Sequence, residues 1–162
     1  MSKIFVDTIE PKTSGRAVGL ATPLFILHKS NGNQAISSAS STKVTWGTAT
    51  ADTHNIADLT NNRIVITEQT AGYWWIGCGL YYSSRSARQI LWIFKNGSTY
   101  SGFEHVHSGN STSTYPEVFG STLMPVVSGD YIETWTYHDY GSSLNVTDGS
   151  GGTWFHGYRV SI

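Results

Sequence analysis

Cysteine is almost missing from this sequence: Cys78 stands alone among 162 residues, so no disulfide closes within the chain and packing must supply its stability. The thiol lies inside the apolar run 73–82, the setting of a small buried hydrophobe. Charge is scarce as well, at 13% of residues, and Lys plus Arg (10) nearly balance Asp plus Glu (11) for a net charge of -1. No cluster of basic residues offers the footprint that nucleic acid or an anionic membrane requires. No apolar run approaches the about 20 residues of a membrane helix, and no charged-then-apolar leader opens the sequence, so neither membrane insertion nor secretion is expected. Catalytic patterns are lacking too. There is no Gly-x-Ser-x-Gly elbow, and Gly149-Ser150-Gly151-Gly152 lacks the lysine and following helix of a phosphate loop. His54 near Asp52 and His138 beside Asp139 are pairs of a kind that chance supplies. The sequence therefore predicts no enzyme and no cofactor.

What is present is the texture of an all-β protein: 17 Gly, 6 Trp and 9 Tyr, with Val, Ile, Thr and aromatics in short runs between Ser, Gly and Asn. The length suits one domain with a core of its own. Strands are predicted at 24–28, 43–46, 63–67, 73–82, 89–95, 131–137 and 154–162. Turn dipeptides such as Asn31-Gly32, Asn96-Gly97, Gly129-Asp130 and Asp148-Gly149 bound them, a spacing that suits a sandwich. The segment 98–119 is the longest polar stretch and reads as a loop, the usual place for a partner-facing surface.

Two strands break the rule that one face of an antiparallel sheet meets water. In 73–82, Trp74, Ile76, Cys78, Leu80 and Tyr82 share one face, while Tyr73, Trp75 and Tyr81 line the other around Gly77 and Gly79. The run 89–95 is apolar on both sides as well. A second sheet hides one face only; the other needs a long loop or a neighbouring subunit, and recurrence of the pattern in several strands favours the subunit. Tyr73, Trp75, Tyr81 and Trp92 are the candidate interface residues.

Residues 1–22 differ from the rest. Ile4, Phe5, Val6 and Ile9 are too few to build a core, so this segment reads as an extended arm and linker that orders by docking on something else, ahead of a domain at 23–162.

Four stretches now invite a comparison: Ala71-Gly72-Tyr73-Trp74, Phe94-Lys95-Asn96-Gly97, Ser128-Gly129-Asp130-Tyr131-Ile132 and Thr153-Trp154-Phe155-His156-Gly157-Tyr158. Taken in order they resemble the "AGxY", "xKNG", "xxGDxV" and "FxGxxL" signatures of C1q-like domains. Asn33-Gln34-Ala35-Ile36-Ser37 and Thr42-Lys43-Val44-Thr45-Trp46 resemble that family's early strands. The resemblance implies a C1q/TNF-like jelly-roll sandwich of about ten antiparallel strands that assembles as a homotrimer. Animal members carry a secretion signal and a collagen stalk, and no Gly-X-Y run appears here. Residues 2–15 instead look like the short N-terminal segment of phage fibre proteins, particularly from marine phages.

Together these resemblances imply a bacteriophage structural protein on the virion surface, on tail fibre or capsid exterior. Its trimeric head would bind a host receptor such as a surface glycan, and its arm would dock on other virion proteins. A capsid decoration or cement protein is the alternative. Candidate ligand-facing residues are Tyr100, Phe103, His105, His107 and Tyr115. Glu104-His105-Val106-His107 is the best metal candidate, because alternate strand positions share a face, but it reads as a polar loop and no metal is expected.

Overall fold

The computed structural model describes residues 22–84, 88–106, 117–149 and 152–161. Among them are thirteen strands and no helix, hence none long and apolar enough to cross a membrane. In chain order they are β1 (Leu24–His28), β2 (Gln34–Ile36), β3 (Thr42–Lys43), β4 (Thr48–Asp52), β5 (Ala57–Asp58), β6 (Arg63–Val65), β7 (Gly72–Tyr81), β8 (Arg88–Lys95), β9 (Ser98–Val106), β10 (Glu117–Val126), β11 (Tyr131–His138), β12 (Leu144–Val146) and β13 (Trp154–Ser161). One sheet runs β10-β7-β13-β1-β4 and the other β5-β6-β11-β8-β9, with β3 added to β11 and a small β2-β12 ladder at one end. The strand pairings are all antiparallel.

The alternation written in the sequence sets which side chains the two sheets share. β7 buries Trp74, Ile76, Cys78 and Leu80, β1 buries Phe25 and Leu27, and β13 buries Phe155; from the facing sheet come Leu91, Ile93 and Ile132. An aromatic cluster sits at the centre: Phe155 meets Phe25 edge-on at 4.8 Å and Trp46 face-on at 5.7 Å, and Phe25 stacks on Trp74 at 5.9 Å. Both buried indoles find acceptors, Trp74 Nε1 donating to the Thr70 carbonyl (2.8 Å) and Trp46 Nε1 to Thr134 Oγ1 (3.2 Å). Burial pushes the Cys78 thiol well up, as expected of an inert packing residue.

The second and third sequence signatures turn out to be the two halves of one corner. Asn96 and Gly97 both have positive φ (53° and 77°), the backbone of a tight hairpin turn between β8 and β9. Asn96 Nδ2 donates to Asp130 Oδ1 (2.7 Å), and the Tyr131 amide donates to Asn96 Oδ1 (2.9 Å). Asp130 Oδ2 takes the Val127 amide and the Lys95 ammonium, each at 2.8 Å. Burial alone would raise the Asp130 carboxyl, but the Lys95, Val127 and Asn96 donors outweigh it and hold the group below its ordinary value. Asp130→Asn should therefore lose about 2 kcal/mol of unfolding free energy near neutrality, measured by urea denaturation. A depressed carboxyl contributes stability that is complete above the unfolded value of about 4 and disappears as pH falls through the lower folded value. The gap between Asp130→Asn and the parent should accordingly close in acid.

The segment 98–119 departs from expectation. Ser98–Val106 is β9, paired to β8 from Arg88↔Val106 to Lys95↔Ser98, and Glu117 already begins β10. Its Ser, Thr and Gly residues gave no apolar alternation because β9 is a sheet edge, from which Phe103 reaches the core.

Candidate functional site

The face of the β10-β7-β13-β1 sheet that points away from the core carries several of the exposed large apolar side chains, among them Phe119, Leu123 and Tyr158. Register aligns it in three rows. Phe119, Gly79, Trp154 and His28 form one; Ser121, Gly77, His156 and Ile26 the next; Leu123, Trp75, Tyr158 and Leu24 the third. Gly77 and Gly79 let the rings of the neighbouring strand lie down on the sheet. A Cβ at Gly79 would stand 2.7 Å from the Trp154 indole, and one at Gly77 3.0 Å from Trp75 and 3.2 Å from His156 Nε2. The rings form a continuous stack: Trp154 to His156 at 4.3 Å and 12° between planes, His156 to Trp75 at 5.3 Å and 22°, Trp75 to Tyr158 at 5.6 Å. Between the stack and β1 runs a groove of about 250 Å³, walled by Leu24, Ile26, Trp75, His156 and Tyr158.

This face is open to solvent. Phe119 is 64% exposed, Leu123 54%, Tyr73 48% and Tyr158 46%, and Val160 near the end of β13 is 55% exposed. A contiguous set of large apolar side chains is the kind of surface through which proteins interact. Burial holds the His156 imidazole below its ordinary value, with the neighbouring His28 adding to the effect.

Tyr73 and Trp75 lie within the face, and Tyr81 lies at its end. The Tyr81 ring covers Gly152 and lines a separate pocket of about 400 Å³ with Thr147, Asp148 and Gly149. Trp92 does not join them. It sits on the outward side of the other sheet, edge-on to Phe94 (6.5 Å) and Tyr137 (6.2 Å), with its indole over Gly102. Phe94 stacks on Trp135 at 5.1 Å, so this second strip of rings largely covers itself, and ion pairs border it: Arg88 with Glu104 (2.7 Å) and Lys43 with Glu133 (2.9 Å). The apolar second face of 89–95 therefore has a different cover from that of 73–82.

Of the ligand-facing candidates, Tyr100 and Phe103 are strand residues and not loop residues. Phe103 turns inward and packs on Gly120 of β10, joining the two sheets at their open edge, while the exposed Tyr100 donates its hydroxyl to the Leu123 carbonyl (3.4 Å). His105 holds a backbone position on β9 opposite Gln89. The side chain of His105, together with His107, Tyr115 and the arm residues Ile4, Phe5, Val6 and Ile9, lies outside the described residues. Glu104, proposed beside the histidines, is engaged by Arg88. Trp154, His156 and Tyr158 were missed as site residues. Their signal was legible, since Trp154-Phe155-His156-Gly157-Tyr158 alternates strictly and its outward members are all rings.

No protein-family model matches the sequence. Among solved structures, the Eiger TNF of S. frugiperda superposes with a TM-score of 0.67 over 86% of this chain and 93% of that one, at 10% identity. Murine APRIL follows at 0.66, 10% identical, over 86% and 100%. The globular domain of zebrafish complement 1qA gives 0.62, 14% identical, over 86% and 98%. The fold is the C1q/TNF jelly roll. The resemblance carried by the four sequence signatures thus holds at the level of architecture, in which the ring stack lies on the sheet that places β13 and β1 side by side. In sequence, 129 residues covering 74% of the jelly-roll chain are 29% identical to the phage-like element PBSX protein XkdV of Bacillus subtilis (strain 168). A further match, 27% identical over 115 residues and 68% of the chain, is to the uncharacterized protein YqcC of the same strain. The matches occupy 18% and 31% of those proteins, so the chain spans less than a third of the length of either curated relative.

Proposed function

We propose that this jelly roll is the homotrimeric head of a phage or phage-like particle, held on the virion by residues 1–22 and presenting a receptor-binding surface to the host. The observation that carries self-association is the ring-stacked face of β10, β7, β13 and β1. Its apolar side chains are exposed in the single chain, and the subunit explanation of the two-sided strand 73–82 requires such a face. The relationship to a phage-like element protein supports the virion setting. Because the matched segment is a minor part of two longer proteins, the reading is of a module that travels between larger chains, which suits an attachment head. The proposed roles are then three. Tyr73, Trp75, Trp154, His156 and Tyr158 form the contact between copies. Ile4, Phe5, Val6 and Ile9 dock the arm. Tyr100, His105, His107 and Tyr115 contact a host glycan.

The test uses the purified chain as a competitor. An excess of the trimer should block adsorption of the particle to its host, and a chain lacking residues 1–22 should stay trimeric yet no longer join particles. Failure to block adsorption, combined with capsids that fall apart when the protein is missing, would replace the attachment reading with a capsid-decorating one.

A further inference from the structure

The ring-stacked face holds two imidazoles, and nothing in the contact between copies requires them to be histidine. His28 on β1 stands opposite Trp154, and His156 on β13 stands opposite Ile26, so the two lie diagonally across adjacent strands on one side of the sheet. The His156 ring is enclosed between Trp154 and Trp75, with the backbone of Gly77 close by. The Nδ1 atom of His28 is buried and finds no hydrogen-bond partner among the described residues.

Few other charges reach this pair. On this face β7 presents only the phenols of Tyr73 and Tyr81, and β13 adds that of Tyr158. Arg159 of β13 is turned aside, donating to the carbonyls of Gln69 and Ala71, and the Lys29 ammonium next to His28 points to Asn31 and Thr45. On β4, both Asp52 oxygens accept amides, from Ile56 and Ala57. On β10, Glu117 lies at the far end of the strand, opposite Tyr81. The Asp148 carboxylate, ahead of β13, accepts the Gly32 amide. Among the described residues, a proton on either imidazole would therefore place a cation among rings and aliphatic side chains with no carboxylate bonded to it.

We infer that His28 and His156 make the association of copies acid-labile: the trimer forms with both imidazoles neutral, and protonation opens it. This rests on the trimer reading above. In the single chain both rings keep partial contact with water; a second copy laid over the face removes it, which raises the cost of the charged form. The direction already seen at His156 in the single chain agrees. By linkage, a histidine that must be neutral in the assembly weakens it as pH falls below the value of the free chain, by up to about tenfold per chain for each pH unit. The effect falls in the range where histidine titrates.

Sedimentation of the full chain from about pH 8 to about pH 5 at fixed ionic strength tests this, with circular dichroism recorded alongside. The expected result is a trimer at the alkaline end that gives way to single chains of unchanged β content at the acid end, and a His28→Gln/His156→Gln double variant that stays trimeric throughout. Histidine NMR shifts of the parent chain give a reading that needs no variant, with protonation coinciding with dissociation. A parent trimer that stays intact while both histidines protonate overturns the inference and leaves the trimer standing. So does a double variant that dissociates along the parent profile. Single chains at the alkaline end instead remove the trimer reading, and the acid switch with it.

Discussion

Replacing Leu123 with arginine should convert the proposed trimer into a folded single chain. Leu123 is half exposed at the edge of the ring-stacked face, level with Trp75 and Tyr158, so in the single chain the new guanidinium reaches water at little cost. In the assembly the same group would be shut among rings. Burying an unpaired charge costs several kcal/mol after relaxation, and each 1.4 kcal/mol or so is a factor of about ten in the association constant. Light scattering should report the mass of one chain at concentrations where the parent is trimeric, with far-ultraviolet dichroism unchanged. Trp92→Glu is the matched control. It is an equally drastic change to a half-buried ring, but on the other sheet, and it should leave the mass alone. If Trp92→Glu dissociates the assembly and Leu123→Arg does not, the contact lies on the wrong sheet in this account.

Phe155→Ala should be the most destabilising single change, lowering unfolding free energy by about 4 kcal/mol and the melting temperature by about 10 °C. Phe155 has no exposure, and its ring touches Phe25 and Trp46 while its strand neighbours Leu27 and Cys78 are themselves buried. Neighbours fixed by two strand pairings cannot collapse into the space, so the cavity remains. Phe155→Leu keeps most of the volume and should cost about 1.5 kcal/mol. Association adds to apparent stability by mass action, so both changes are best measured in the single-chain Leu123→Arg background.

These expectations show where the sequence was readable. β1 was legible to the residue, because Leu24–His28 is a short apolar run bounded by Pro23 on one side and the Asn31-Gly32 turn on the other. The two-faced pattern of β7 was equally plain, and it pointed to Tyr73 and Trp75 as outward residues. The same argument named Trp92, which lies on the other sheet, because an apolar face says that water is excluded but not by what. On β8 the answer is neighbouring rings of the same sheet, whereas on β7 the rings of β13 leave a face that still meets solvent. β9 escaped because an edge strand paired along one side needs little apolar content; Phe103 is the described β9 side chain that packs on the core. The site itself was half visible. Glycines at 77 and 79 announced that something lies close to β7, but only register reveals that Trp154 and His156 fill the space.

The position of β13 between β7 and β1 also governs how the molecule is made. On the ribosome, β1 can pair with β4 and β7 with β10, but β1 and β7 have no hydrogen-bonding partner in one another; one edge of each waits for residues 154–161, which pair with both. Until those residues leave the exit tunnel, the apolar edges of two long-separated strands stay open, a state prone to pairing with other nascent chains. Closure by a late central strand makes folding slow and nearly all-or-none. It also means that chains truncated before residue 154 should be cleared by proteolysis instead of entering an assembly as defective copies.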